Sequence, residues 1–327
     1  MTNQTELDAA LSAASPGDVI ELAAGTYSDI TASVSGTEAN PIYIRGADID
    51  GVIISGPGDE VDIAASWIVL ENLTVSGTSG ALNTRGIRLA SGGGTTDNVT
   101  IRDVKITGFA RGIQTANGEN VNNALIYNVE STGEADWTTT NLTTSTYWSE
   151  DGFRLVGTGN CVWSCTLQGY GDSITFAESV TDDIRSCFAW KNFIRNSVDD
   201  CFELDHHRRC IGVYDNYLEN IKTMLSLSDE NNYGPTYFFR NIAVNIAVRV
   251  LKPNDDNWGM LFYSNTLLRQ DSPDGSYTGD NTRGNGHFEA NSNGQDKFAW
   301  RNNLLIYRGT KASSSGTRRI IDVTNGS

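Results

Sequence analysis

CFAWKNFIRN (187–196), CIGVYDNYLEN (210–220), TYFFRNIAVN (236–245) and GMLFYSNTLL (259–268) are four versions of one phrase. Each holds an apolar alternating strand, then Asn, then a second short strand. The Asn stands at 192, 216, 241 and 265, so the steps are 24, 25 and 24 residues. That period is too short for helical repeats of roughly 33–47 residues or WD-type blades of about 40–45. It fits one coil of a solenoid built from two or three short strands. Alternation then sends Val, Ile, Leu and Phe inward, stacked on the next coil about 4.8 Å away. Outward from this core the phrase returns as WIVLENLTV (67–75), VTIRDVKIT (99–107), ALIYNVEST (124–132) and KFAWRNNLLI (297–306), marked by Asn72, Asp103, Asn128 and Asn302. An Asn at such a turn can bond the Asn above and below, which satisfies turn backbone that would otherwise be buried unpaired.

The expected fold is all-β: a single-stranded right-handed parallel β-helix of about ten coils, with residues 1–327 as one domain. TELDAALSAASPGD (5–18) has Leu7, Ala10, Leu11 and Ala14 on one helical face and Thr5 and Asp8 in capping-box positions, so residues 5–15 read as a helix that caps the solenoid. RRIIDVTNGS (318–327) offers no such cap, which implies that the chain continues or that a partner covers this end. Two coils carry insertions. Residues 133–149 bring Trp137, Tyr147 and Trp148, and residues 269–286 bring Tyr277 and Arg283. Loops on a rigid solenoid form the walls of binding grooves, and aromatic faces suit sugar rings.

Composition narrows the function. The net charge of −16 argues against nucleic acid, which needs a basic face. No apolar run approaches the roughly 18 residues of a membrane span, and no signal segment follows Met1. Cys161, Cys165, Cys187, Cys201 and Cys210 lack zinc-type spacing and read as buried thiols, with a Cys161–Cys187 bridge between neighbouring coils as the alternative.

The chemistry concentrates in one coil. The second strands align as GIRLAS (86–91), GIQTAN (112–117), GFRLVG (152–157), SITFAE (173–178), CFELDH (201–206) and MLSLSD (224–229). Only one lies in a run as charged as DDCFELDHHRR (199–209), which also holds two of the three histidines. With Phe202 and Leu204 inward, Glu203 and Asp205 point out, followed by His206, His207 and Arg208. Neighbouring coils add Asp151, Arg154 and Asp172 before it, and Asp229, Tyr233, Arg249 and Lys252 after it. Exposed ion pairs contribute only about 0–1 kcal/mol each, so stability does not explain such a density. Acid–base chemistry or metal binding does.

AALSAASPGDVIELAAGTY, GTEANPIYIRG and GVIISG, within residues 5–75, resemble the alginate lyase and chondroitinase B family of the pectate-lyase-like β-helices. That resemblance implies a Glu-x-Glu calcium pair and a lysine base. Glu203 and Asp205 could match the pair, but His207 or Arg208 stands where the lysine is expected. LDHHRRCIGVYDN resembles the Asp-Pro-His region of alginate C5-epimerases, with Asp205 and His207 aligned and His206 replacing proline. VDDC (198–201) and VRVLK (248–252) resemble polygalacturonase motifs, whose Gly-His-Gly is missing here.

Proton abstraction next to a uronate carboxylate needs a base, a neutralising cation and an acid. His207 would be the base, Arg249 and Lys252 the neutralisers, and Asp205 the group that orients the imidazole. A hydrolase would instead use two carboxylates about 5–9.5 Å apart, drawn from Asp200, Asp172 and Asp151. Asp199, Asp200, Glu203 and Asp205 offer hard oxygens suited to calcium. The leading expectation is therefore an enzyme that cleaves or epimerises an acidic polysaccharide by C5 proton abstraction, outside the cell, at its surface or on a virion. A polygalacturonase-like hydrolase and a non-catalytic adhesion module are the alternatives. A virion setting would imply a homotrimer or larger assembly.

Overall fold

The computed structural model describes residues 1–56, 58, 60–77, 84–91, 95–176, 184–205, 209–227, 234–253, 259–270, 289–290, 299–308 and 322–323. The fold class is the parallel β-helix. The chain forms two compact units: Met1–Glu134 with Glu150–Leu167, and Ala135–Ser149 with Gln168–Ser327.

In the first unit, strands Val19–Leu22, Ile42–Gly46, Ile68–Ser76, Thr100–Thr107 and Leu125–Thr132 stack in parallel register. The alternating sequence produces one inward column, Ile20, Ile44, Leu70, Ile101, Ile126 and Val162, with each residue laid on its equivalent in the next coil. These side chains are 0–3% exposed, and burial of each is worth about 1.5–3 kcal/mol.

The cap is a helix, Gln4–Ser12, that buries Leu7 and Leu11. Its N-cap is Asn3, which accepts a hydrogen bond from the Glu6 amide, and the Glu6 carboxylate accepts one from the Thr2 amide. The capping pair is thus Asn3 and Glu6 instead of Thr5 and Asp8. Asn is as strong an N-cap as any residue and comes first in the chain.

In the second unit, Ile194, Leu218, Ala243 and Leu267 form one inward column and Ala189, Val213, Phe238 and Phe262 another. The turn between them carries the asparagine ladder. The side-chain oxygen of Asn216 accepts from both the amide and Nδ2 of Asn192, each at 3.0 Å. Asn241 serves Asn216 at 3.1 and 2.9 Å, Asn265 serves Asn241 at 2.9 and 3.1 Å, and Asn303 serves Asn265 at 2.9 and 2.8 Å.

Three of the markers stand one residue earlier in the turn, at the position held by Lys191, Asp215, Arg240 and Ser264 just before the ladder residues. Asn72, Asp103 and Asn128 adopt left-handed φ of 60°, 53° and 53°, as do Asn196, Asn220 and Asn245 at the next corner of their coils. Asn302 likewise has φ 53° and precedes the ladder residue Asn303. At the buried position that follows Asn72, Asp103 and Asn128 the first unit places Leu73, Val104 and Val129. Short polar side chains tolerate left-handed backbone, so one residue type marks two successive positions for two reasons. All five cysteines are free thiols, so no Cys161–Cys187 bridge forms.

Candidate functional site

The acidic coil lies in strand Phe193–Glu203 of the second unit, flanked by Ile174–Thr175, Tyr217–Leu227 and Ile242–Pro253. Alternation holds as far as Ser197. There the register slips: Ser197 faces Ile221, but Asp200 faces Thr223, so Val198 and Asp199 together oppose the single residue Lys222. The next strand does the same, because Ile221 faces Ile246 and Thr223 faces Arg249, leaving Ala247 and Val248 opposite Lys222. Bulges of this kind re-aim side chains. Beyond them, Asp200, Thr223 and Arg249 share one column, and Thr175, Glu203, Ser226 and Lys252 another.

The result is a convergent group. One carboxylate oxygen from each of Asp172, Asp199 and Asp200 lies within 4.8 Å of the others. Asp172 accepts from the Asp200 amide at 2.8 Å. Each acid of the pair has its own ammonium group: Lys222 donates to Asp199 Oδ1 and Lys252 to Asp200 Oδ2, both at 2.8 Å. The environment is largely enclosed, with Asp200 only 2% and Lys222 only 7% exposed, while the side chains of Asp199 and Lys252 keep 19% and 25%. Oδ1 of Asp200 is buried and has no hydrogen-bond partner among the described residues.

Electrostatics separates the acids. Burial, and then the charge of Asp200, push the Asp199 carboxyl up to about 6, although Lys222 and Lys252 pull the other way. Burial alone would lower Lys252. The charge and hydrogen bond of Asp200, with Asp199 and Asp205, outweigh it and hold the ammonium above the usual lysine range. Burial and the charges of Asp200 and Asp172 raise the Cys201 thiol well above its ordinary value, which keeps it un-ionised.

The 133–149 excursion forms a wall. Its helix, Thr139–Thr143, buries Leu142, which clusters with Ala135 and with Val198, Ala247 and Val248 from the bulges, and Trp137 and Tyr147 pack against them. Trp148 sits with its ring 3.6 Å from the Lys222 ammonium. Gly171, next to Asp172, permits this approach, since a Cβ there would lie 1.9 Å from the Tyr147 carbonyl oxygen.

Asp172, Asp200, Glu203, Asp205, Arg249 and Lys252 all stand on these coils, with Asp172, Asp200 and Asp205 buried and Glu203, Arg249 and Lys252 partly exposed. Asp172 and Asp205 are each 5% exposed, Asp205 accepting from Ser226 at 3.1 Å and Glu203 lying 3.5 Å from the Thr175 hydroxyl. Asp151 and Arg154 belong to the first unit, where Asp151 accepts from Gln114 at 2.7 Å and Arg154 donates to Asn117 at 2.7 Å. His206, His207, Arg208, Asp229 and Tyr233 lie outside the described residues, as does most of the 269–286 insertion.

Sequence reasoning missed Lys222. Its signal was present: it is the one charged residue in Ile221–Leu227, a run that is buried throughout. Two of the four acids expected to bind calcium, Asp199 and Asp200, join Asp172 in a group close enough to share an ion, but an ion there would have to displace existing contacts. Asp205 is turned to Ser226, and ammonium nitrogens already stand against Asp199 and Asp200.

Residues 1–89 match the family model described as Chondroitinase B. A comparison with curated proteins gave no match. Among solved structures the chain is similar to an alginate lyase from Paenibacillus sp. str. FPU-7, with TM-score 0.59 and 17% identity over 94% of this chain and 97% of that one. It is similar to a GH136 lacto-N-biosidase from Eubacterium ramulus (0.59, 13%), covering 90% of this chain and 62% of the other. A family 28 exopolygalacturonase from Yersinia enterocolitica gives 0.50 and 13%, over 95% and 76%. At such identities the likeness establishes the fold alone.

Proposed function

We propose that the protein is a carbohydrate-active enzyme that cleaves an acidic, uronate-containing polysaccharide, with Asp199 as the general acid. The observation that carries this is the cluster of Asp172, Asp199 and Asp200, in which one carboxyl keeps its proton to about pH 6. Glycosidic cleavage needs two carboxyl groups in different states, one to protonate the leaving oxygen and one to activate water or attack the sugar. Asp199 fills the first role. Asp200 fills the second, because its buried Oδ1 has no donor and can accept a hydrogen bond from water or a sugar hydroxyl. Lys252 donates to Asp200 Oδ2, and Arg249, in the column of Asp200 and Thr223, adds positive charge suited to a uronate carboxylate. Trp137 and Trp148 lie on the excursion beside these coils. The setting proposed is extracellular, at a cell surface or on a virion, and a virion role would bring trimeric assembly with it.

The alternative is C5 proton abstraction by a lyase or epimerase, with His207 as base. The match of residues 1–89 to the Chondroitinase B model favours it. It assigns that base to His207, which lies outside the described residues, whereas the described site supplies a raised acid in Asp199. Incubation with alginate, pectate, chondroitin and neutral glycans separates the two. New reducing ends without ultraviolet-absorbing double bonds support hydrolysis, and double bonds support elimination and overturn the role given to Asp199. Binding with neither product leaves an adhesion module.

A further inference from the structure

We propose that Lys222 is the positioning residue for Asp199, and that the 135–149 excursion holds Lys222 in place through Trp148. The inference rests on the role given to Asp199 above and concerns what fixes that carboxyl in the site.

A lysine that is 7% exposed is costly unless its charge is matched. Here it is matched twice. Its Nζ donates to Asp199 Oδ1 at 2.8 Å and lies 3.6 Å from the centre of the Trp148 ring, well inside the roughly 6 Å range of a cation–π contact. Ammonium, carboxyl and ring therefore form a fixed chain from the excursion to the acid. The two bulges make this geometry, since Lys222 alone faces Val198–Asp199 on one side and Ala247–Val248 on the other. Val198, Ala247 and Val248 are also the residues on which Leu142 and Ala135 of the excursion are seated. One distortion of the coils thus aims the lysine and docks the segment that covers it.

Trp148 is itself tied down. Its Nε1 donates to the Asn141 carbonyl at 3.4 Å, and its amide to the Ser145 carbonyl at 3.4 Å. The charged groups acting on Asp199 are Asp200 on its own strand, Asp172 in the cluster, Lys222 on one neighbouring strand and Lys252 on the strand beyond. Lys252 bonds Asp200, so Lys222 is the cation that contacts the acid directly. Its charge opposes the upward push of burial and keeps the Asp199 proton transferable near neutral pH.

The test uses Lys222→Met, Lys222→Arg and Trp148→Ala in the full chain, with polygalacturonate and alginate as substrates. Lys222→Met should lower kcat by at least about tenfold with KM nearly unchanged, and Lys222→Arg should restore most of it. In parallel, carbon-13 NMR of the Asp199 carboxyl should show its titration midpoint about one unit higher in Lys222→Met, less in Trp148→Ala, and little moved in Lys222→Arg. An unmoved midpoint in Lys222→Met overturns the proposal. If that variant does not fold, an unmoved midpoint in Trp148→Ala overturns it equally. A moved midpoint in a protein that cleaves no glycan upholds the linkage and rejects the enzymatic role. A glycan cleaved with the midpoint unmoved does the reverse.

Discussion

Asp199→Asn should stabilise the protein above pH 6 while removing its activity. The carboxyl titrates at about 6 in the folded chain against an ordinary value of 3.8, a difference of about two units, or about 3 kcal/mol. The sign follows from proton counts. Between those two values the native state holds a proton that the unfolded state has lost, so stability falls as pH rises. Below pH 3.8 the group is neutral in both states, and above about 6 the whole penalty of an ionised Asp199 is present. Asparagine keeps the neutral form at every pH. The gain of Asp199→Asn over wild type should therefore be near zero around pH 4, grow to about 3 kcal/mol by pH 6–7 and then stay level. For 327 residues the unfolding entropy is about 0.7 kcal/mol/K, so the gain appears as about 4 °C in the melting temperature at pH 8. Calorimetry of both proteins between pH 4 and 8 measures it. In the same range wild-type kcat/KM should fall tenfold per pH unit above about 6, and the variant should lose about 10²–10⁴ in rate. A variant that melts at or below the wild-type temperature at pH 8 would refute the raised acid.

Three further outcomes are expected. Asn216→Ala strips the donors of Asn192 and the Ala189 carbonyl of their partner, and should cost about 2–5 kcal/mol in urea denaturation; a loss below about 1 kcal/mol would mean that the ladder is decoration. Gly171→Ala drives a methyl group into the Tyr147 carbonyl, so near-ultraviolet circular dichroism and tryptophan fluorescence should report displacement of the excursion, at a cost of about 1–3 kcal/mol; unchanged spectra would contradict the contact. Millimolar calcium and a chelator should give equal melting temperatures if the ammonium groups of Lys222 and Lys252 keep their contacts with Asp199 and Asp200; a calcium-dependent rise would show that an ion displaces them and would support the metal site expected from sequence.

The coil period was legible because stacking fixes it. A residue at the buried turn must meet its equivalent one coil away, so Asn192, Asn216, Asn241 and Asn265 recur at coil length. The two successive positions of that turn were not separable by composition, since left-handed backbone and a buried ladder both select Asn. The acidic coil stood out by its density of charge, and the structure buries Asp172, Asp200 and Asp205 of that set. What counting could not reach was the bulge. Strand periodicity assumes one residue opposite one residue, and a single extra residue reverses which side chains face out. Asn196 precedes Asp200 by four positions, but Asn220 precedes Thr223 by three, so alignment from the turn does not bring Lys222 opposite Asp199.

The same irregularity explains why the site lies where it does. An ideal coil offers alternating side chains and no concavity, and it would leave Asp199 and Lys222 in successive rows, each wet and ordinary. Two bulges around one lysine give the excursion an apolar seat on Val198, Ala247 and Val248, and the seated excursion helps to enclose the charges. Burial then raises Asp199 and leaves Asp200 Oδ1 with no donor among the described residues, two departures from ordinary carboxylate behaviour that the proposed acid–base cleavage would use. The cost falls on these coils, while the inward columns of Ile194, Leu218, Ala243 and Leu267 continue unbroken beneath them. A solenoid can carry such a defect because each coil is held by its neighbours, so strain in one column need not spread along the stack. Straightening the bulge by deleting Val198 should thus preserve the coils and abolish both the Lys222–Asp199 pair and turnover. A deletion variant that keeps the raised Asp199 titration would show that burial by the bulge is not its cause.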